Sequence, residues 1–414
     1  MLLYLSNNRF PTEKAHGLQI AKTCESFIKQ LSKESSDEQD SDEPLLFVGP
    51  KRIQTTCVTT ESPQEFYKLD CEIPVKRIWS LDLLQKSWMP GASAYMLQSL
   101  TFLLNFALQK RKLSRTKTGK DTCTSYTRSI LIPLAFLFSK DLWLFEAHTF
   151  PKTPLGQAYQ RWLLKKSRGL VCISQGLAEK YKKLLGKSCP PIHIAHDGVD
   201  LDAFQNTPSQ TQARKELNLP LDKKIILYTG SPFPWKGVFT LADGIAKIAE
   251  NTDTLTIFLG GNPDESYFKD LQNHLKKIAP TNNLADTNAL ALPFVPYEQV
   301  PLYMAAADIL VIPNSAKNPI SREDTSPLKL FEYMASGKEI LASAVPALQN
   351  VLTEKEAWFF TPDDPTSLAQ TLQKILSQTA KDPSNKKGPA AAALAANYSW
   401  SQRTKGILNF ISKI

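Results

Sequence analysis

The chain has 414 residues, 42% of them hydrophobic, with 49 Lys and Arg against 40 Asp and Glu, a net charge of +9 and a pI near 9.0. Such a length exceeds what one core organises and implies two domains. No apolar run approaches the ~20 residues of a membrane span, and the six cysteines show no metal-ligand spacing, which suits free thiols in a reducing compartment. The basic balance asks for an anionic partner: nucleic acid, lipid headgroups or a phosphorylated ligand.

Residues 2–5 (Leu-Leu-Tyr-Leu) lack the basic flank and length of a signal peptide and read as a first strand. The loop 6–16 follows, then a helix over 18–31 and an acidic, serine-rich loop over 32–44. Gly17, at the helix entrance, permits close backbone approach to a ligand beyond the strand end. Short apolar runs at 45–48, 77–81, 142–146, 169–174 and 192–195 predict further strands, and their alternation with amphipathic stretches predicts a parallel sheet covered on both faces. His148 lies just past one of these strands, where a lone histidine usually serves structure.

Residues 94–108 are apolar around most of the helical circumference, and Lys110, Arg111, Lys112, Arg115, Lys117 and Lys120 follow. Together they fit an anchor on anionic lipid; a core helix followed by a solvated loop fits as well. The basic run lacks interleaved aromatics, which disfavours nucleic acid.

Asp197-Gly198-Val199-Asp200 reads as a turn, and the polar stretch 205–211 as the domain boundary. A second α/β series follows, with strands over 225–228, 254–260, 339–342 and 358–360, and a helix end with a buried strand over 305–312. The first of them leads into Gly230-Ser231-Pro232-Phe233-Pro234-Trp235-Lys236-Gly237, where Lys236 can meet a diphosphate as a point charge. Residues 378–388 read as a linker, and the amphipathic segment from Trp400 to Ile414 as a helix returning to the first domain.

The stretch Arg322-Glu323-Asp324-Thr325-Ser326-Pro327-Leu328-Lys329-Leu330-Phe331-Glu332-Tyr333-Met334-Ala335-Ser336-Gly337 reads as a loop turning into a helix. Ser326 suits the N-cap, Pro327 the first helical position and Gly337 the stop. A helix starting so presents amides and a positive dipole end to an anion. Were Asp324 and Glu332 on one continuous helix, roughly 12 Å would separate their backbones. A glycosidase pair needs carboxyl groups about 5 to 9.5 Å apart, so two acceptors for ligand hydroxyls suit the spacing better.

This stretch resembles the acidic signature of retaining GT-B glycosyltransferases of family four, the glycosyl transferases group 1 of bacterial type. There two glutamates, with seven residues between them, flank the same loop-to-helix turn. Here the first is Asp324, one methylene shorter. The loop Pro-Thr-Glu-Lys-Ala-His-Gly ending at Gly17 is similar to the family's loop facing the donor diphosphate, and His148 matches a histidine beside the transferred hexose. Lys236 matches the family's second phosphate-binding cation, whereas Ser231 stands where the first, an arginine, is found; Arg322 or Lys329 are candidates to compensate. Phe294-Val295-Pro296-Tyr297 resembles the segment bordering the nucleobase, with Val295 in contact.

The resemblance implies an α/β, GT-B fold: two Rossmann-like domains with parallel sheets facing across a cleft, residues 1–204 on the acceptor side, 212–398 binding the nucleotide sugar, and 399–414 packing back. It implies a hexosyltransferase taking a nucleotide-diphosphate sugar of UDP or GDP type as co-substrate, with no cofactor and no metal, and a glycan or lipid-linked acceptor. Catalytic roles fall to His148, Asp324, Glu332 and Lys236. Donor binding falls to Gly17, Gly230, Lys236, Val295, Ser326, Pro327, Leu328 and Glu332. No nucleic-acid partner is expected, and the location expected is the cytoplasm, with peripheral membrane contact an option. An epimerase of the same fold and an inactive nucleotide-sugar binder are the alternatives; a NAD-dependent oxidoreductase lacks its Gly-x-Gly-x-x-Gly fingerprint.

Overall fold

The computed structural model describes residues 1–34, 43–53, 58, 62–84, 86, 88–113, 123–137, 141–248, 253–278, 288–381 and 386–414. The acidic stretch 35–42, Cys57, part of the linker 378–388, and Arg115, Lys117 and Lys120 lie outside them. The chain divides into two compact units, one of residues 1–173, 177–196 and 400–414, the other of residues 174–176 and 197–399.

The first unit holds seven strands: β1 (Leu2–Leu5), β2 (Leu45–Lys51), β3 (Val75–Trp79), β4 (Thr124–Thr127), β5 (Leu142–Ala147), β6 (Gly169–Cys172) and β7 (Ile192–Ile194). They pair in the order β3-β2-β1-β4-β5-β6-β7, every pair parallel. Strand β1 is buried along its whole length because it is apolar on both faces. Leu3 and Leu5 pack with Phe102, Phe106, Phe136 and Trp143. Leu2 and Tyr4 face the other way, onto Ile20, Phe27 and Ile407. Ile407 belongs to the final helix, Trp400–Lys413, which lies against the helix Ala15–Glu34, with Ser26 Oγ and Thr404 Oγ1 2.6 Å apart.

Strand β4 is absent from the sequence expectation. Its residues, Thr-Ser-Tyr-Thr, are too polar to read as a buried strand, yet Ser125, Tyr126 and Thr127 are buried. The Thr127 hydroxyl is satisfied by donating to the Leu5 carbonyl at 2.9 Å. The helix Gly91–Leu113 also departs from a core helix: it buries Phe102 and Phe106, but Tyr95, Met96, Leu100, Leu104 and Leu108 are exposed.

The second unit holds β8 (Lys224–Thr229), β9 (Thr254–Leu259), β10 (Ala289–Leu292), β11 (Ile309–Ile312), β12 (Glu339–Ser343) and β13 (Trp358–Phe360), in the order β10-β9-β8-β11-β12-β13, again all parallel. Strand β10, also missed in the sequence, is a short edge strand with Leu290 exposed. Ile225 and Leu227 pack with Phe331 and Met334 of the helix Leu328–Ala335. Ile226 and Tyr228 pack on the opposite face with Val238, Leu241 and Leu368. Two doubly covered parallel sheets are therefore the architecture.

Candidate functional site

Within the second unit, the carboxyl end of β8 and the start of the helix Leu328–Ala335 bring three predicted residues together. Gly230 follows β8 with φ +109°, a conformation L side chains avoid, and a side chain there would meet Lys329 Nζ at 3.3 Å and Lys236 Nζ at 3.7 Å. Lys236 closes the turn Pro234–Lys236, which ends on Gly237 at φ +74°; a Cβ at Gly237 would strike the Pro313 carbonyl at 1.7 Å. Glycine is obligatory at that turn. Lys236 Nζ lies 5.3 Å from the ring centres of Phe233 and Trp235.

Lys329, one turn before Glu332, is the second cation. It is 8% exposed, its Nζ is buried without a hydrogen-bond partner, and it rests 3.7 Å from the centre of the Tyr228 ring. Burial holds the Lys329 pKa well below the usual lysine value, and Lys236 pushes it further down. Burial brings Lys236 to about 8. Of the two candidates for a compensating cation, the structure places Lys329 at the site. Arg322 is engaged with its neighbour Glu323, at 2.7 Å through Nε and 2.6 Å through Nη2.

Glu332 is buried, and burial raises its pKa to about 7 against the opposing effects of the Tyr297 hydroxyl, which donates to it, and of Lys329. Tyr297 is a participant the sequence reading named only as part of a segment; its separation from Glu332 along the chain hid the contact. Val295 is half-buried and packs against the unit's core.

Ser326 does not cap the helix. Its hydroxyl accepts from the Asp197 amide at 2.9 Å, and Pro327 takes the N-cap position with no side-chain cap bond. Leu328 is consequently the first helical residue, and the Leu330 amide turns back to the Pro327 carbonyl at 2.9 Å. Helix geometry leaves the preceding first-turn amides without intrahelical acceptors. Asp324 is buried at the end of the turn Ile320–Asp324, whose Glu323 and Asp324 carbonyls accept from the Ser174 hydroxyl at 3.3 and 3.0 Å.

The remaining predicted residues lie in the first unit. Gly17 is inside the first turn of the helix Ala15–Glu34 rather than ahead of it, and a Cβ there would meet Tyr67 Oη at 2.2 Å and Thr12 Cγ2 at 2.6 Å. Its bareness accommodates the protein's own loop. His148 Nε2 lies 3.1 Å from Glu146 Oε1. Burial, then Arg128, pull the His148 pKa down to about 4 against Glu146, so the ring is neutral at pH 7. His16, not singled out in the sequence, is likewise lowered to about 4 by burial and by Arg128. Glu146 itself is fully buried. Burial would raise its pKa, but Arg403, then His148 and Arg128, hold it well below the usual carboxylate range.

Among the described residues no group of three or more His, Cys, Asp or Glu side chains could hold a metal, and no helix is long and apolar enough to cross a membrane.

Residues 209–391 match the family described as glycosyl transferases group 1. A putative teichuronic acid biosynthesis glycosyltransferase, TuaC of Bacillus subtilis, is 24% identical over 206 residues, half of this chain and 46% of that protein. The D-inositol 3-phosphate glycosyltransferase of Streptomyces avermitilis is 28% identical over 231 residues, 54% of this chain and 46% of that protein. The aligned part thus spans about half the length of these curated relatives. Among solved structures, Anabaena HepE in complex with UDP superposes with a TM-score of 0.73 at 15% identity, covering 100% of both chains. Sucrose-phosphate synthase from Thermosynechococcus elongatus gives 0.71 at 18% identity, covering 100% of this chain and 98% of that one. The fold is therefore GT-B.

Proposed function

Taking as premise that residues 209–391 carry a glycosyl transferases group 1 domain, we propose that the protein is a glycosyltransferase. In this reading it moves a hexose-type sugar from a nucleotide-diphosphate donor of UDP or GDP type to a glycan or lipid-linked acceptor, with retention at the anomeric carbon. The observation that carries the proposal is Lys329: a buried amine without a hydrogen-bond partner, beside Lys236 and the bare backbone of Gly230. Burial disfavours the charged form of that amine, and a diphosphate would supply the anion that restores it. Two ammonium groups and a helix start are what a departing nucleoside diphosphate needs as negative charge builds on its bridging oxygen.

Glu332 would accept from the ribose hydroxyls, and Val295 would border the base. Asp324 would accept from a hexose hydroxyl; its shorter side chain is the departure from the glutamate that the resemblance leads one to expect. A neutral His148 suits hydrogen bonding to a hydroxyl better than proton transfer. Catalysis then consists of orientation and charge neutralisation, with the acceptor attacking on the face the diphosphate leaves.

Thermal shift with UDP, GDP and their sugars tests the reading, since a ligand at 100 times its Kd adds about 2.7 kcal/mol. One nucleotide is expected to raise Tm, and Lys329→Met is expected to weaken it by about 1.5–3 kcal/mol, the range for hydrogen bonds to charged groups. Equal affinity in wild type and Lys329→Met would remove the basis of the proposal. The anomeric configuration of the product, read by NMR, tests retention.

A further inference from the structure

In the first unit a second pair of cations has buried guanidinium nitrogens without hydrogen-bond partners, beyond the carboxyl ends of the other sheet's strands. The order β2-β1-β4 puts the reversal of the winding between β1 and β4, where open α/β sheets bind ligands beyond their strand ends. Arg9 lies in the loop after β1, and Arg52 directly follows β2. The Arg52 side chain is only 10% exposed. Its Nη1 donates to the Asn7 carbonyl at 3.4 Å, but its Nε is buried with no hydrogen-bond partner, as is the Nε of Arg9. The Asp82 carboxylate stands 3.9 Å from Arg52 Nε, and its oxygens already accept from the amides of Ile53 at 3.0 Å and Leu84 at 3.3 Å. Burial lowers the Arg52 pKa; Asp82 opposes that and the charge of Arg9 adds to it, so the two guanidinium groups sense one another.

The surroundings are polar on one side and apolar on the other. Asn7 is fixed by Ser99 Oγ at 2.7 Å, Gln98 at 3.0 Å and Ser129 Oγ at 2.8 Å, and its Nδ2 reaches Tyr95 Oη at 3.5 Å. Tyr95 opens the exposed face of the helix Gly91–Leu113, along which Met96, Leu100, Leu104 and Leu108 follow at intervals of four, 61%, 47%, 63% and 83% exposed. At 1.5 Å per residue this stripe runs for about 18 Å. Arg111 and Lys112 are exposed at its far end.

We infer that Arg9 and Arg52 bind the phosphate of a lipid phosphate whose hydrocarbon chain lies along the stripe from Met96 to Leu108. Guanidinium forks match phosphate oxygens bidentately, and the exposed apolar stripe gains by covering. The inference rests on the reading of the protein as a glycosyltransferase only in naming this lipid the acceptor; binding itself is independent of the donor.

The test is co-sedimentation of the full chain with phosphatidylcholine vesicles, plain, doped with dodecyl phosphate, or doped to the same charge with phosphatidylglycerol. Binding is expected on dodecyl phosphate above both controls, falling at least about tenfold in Arg9→Met, in Arg52→Met and in Leu100→Ser/Leu104→Ser. The Tm shift with nucleotide is expected to be unchanged in all three. Arg9 is half-buried, so its variant keeps the test open should Arg52→Met fold poorly. Equal binding to both anionic vesicles, or binding indifferent to the arginines, overturns the inference in favour of a general membrane surface. A Tm rise with inorganic phosphate but no vesicle binding overturns it in favour of a soluble phosphorylated ligand. Loss of nucleotide binding by the wild type, with vesicle binding intact, would count against the proposed function alone.

Discussion

Each unit buries a charged cluster, and the two clusters are built on opposite terms. In the first unit the charge of Glu146 is paired by its own chain: Arg403 Nη2 and Gln19 Nε2 donate to its Oε1, the latter at 3.2 Å, and His148 stands beside it, although Oε2 is buried without a hydrogen-bond partner. In the second, Lys329 and Lys236 face Gly230 with no carboxylate in hydrogen-bond reach of Lys329 Nζ. A buried charge paired within the protein needs no anion or cation from outside, and removing its partner strands it. One left unsatisfied is kept at a cost and awaits an anion.

The largest expected effect breaks the comparison at its satisfied end. Arg403→Leu leaves Glu146 buried without its guanidinium and should cost about 3–5 kcal/mol of stability, measured as denaturant midpoint. Lys329→Met, equally buried, should leave that midpoint unchanged or raise it, because no partner is stranded. A large loss of stability in Lys329→Met would show that both clusters serve the fold.

The next sharpens the unsatisfied end through pH. The folded-state pKa of Glu332, about 7, lies above the ordinary 4.5. The folded protein therefore binds more protons between those values, and this group's contribution to stability falls as pH rises from about 4.5 to about 7. Glu332→Gln should flatten that part of the stability profile. In the first unit Glu146, depressed, contributes in the other direction: its stabilisation is present above the ordinary carboxylate pKa and is lost on acidification.

The smallest effect is on ligand affinity. Lys236 titrates near 8 when unliganded, and a bound diphosphate would favour its charged form. Nucleotide affinity should therefore hold below pH 8 and decline above it, by at most about tenfold per pH unit for one proton. Calorimetry in buffers of different ionisation enthalpy should register proton uptake at pH 8 to 9. No uptake there would place the diphosphate away from Lys236.

Much of this was legible in the sequence where the signal was local. The strand-turn pattern around Gly230 and Lys236 and the helix bearing Glu332 are short-range, and they could be read. What failed was set at long range. Ser326 has the composition of an N-cap, but the Asp197 amide, 129 residues away, claims its hydroxyl. Strand β4 is buried despite its polar residues because it pairs between β1 and β5, which its own sequence does not reveal. The lowering of the His148 pKa depends on burial and on Arg128, against Glu146, whose own pairing with Arg403 no spacing rule would find.

That last pairing also sets an order of events during synthesis. Glu146 leaves the ribosome 257 residues before Arg403 does. Throughout that interval the sheet around it lacks both its countercharge and the hydrocarbon that Ile407 brings. The unit whose strands are translated first is thus completed only by residues 400–414, after the chain of the second unit has already been made.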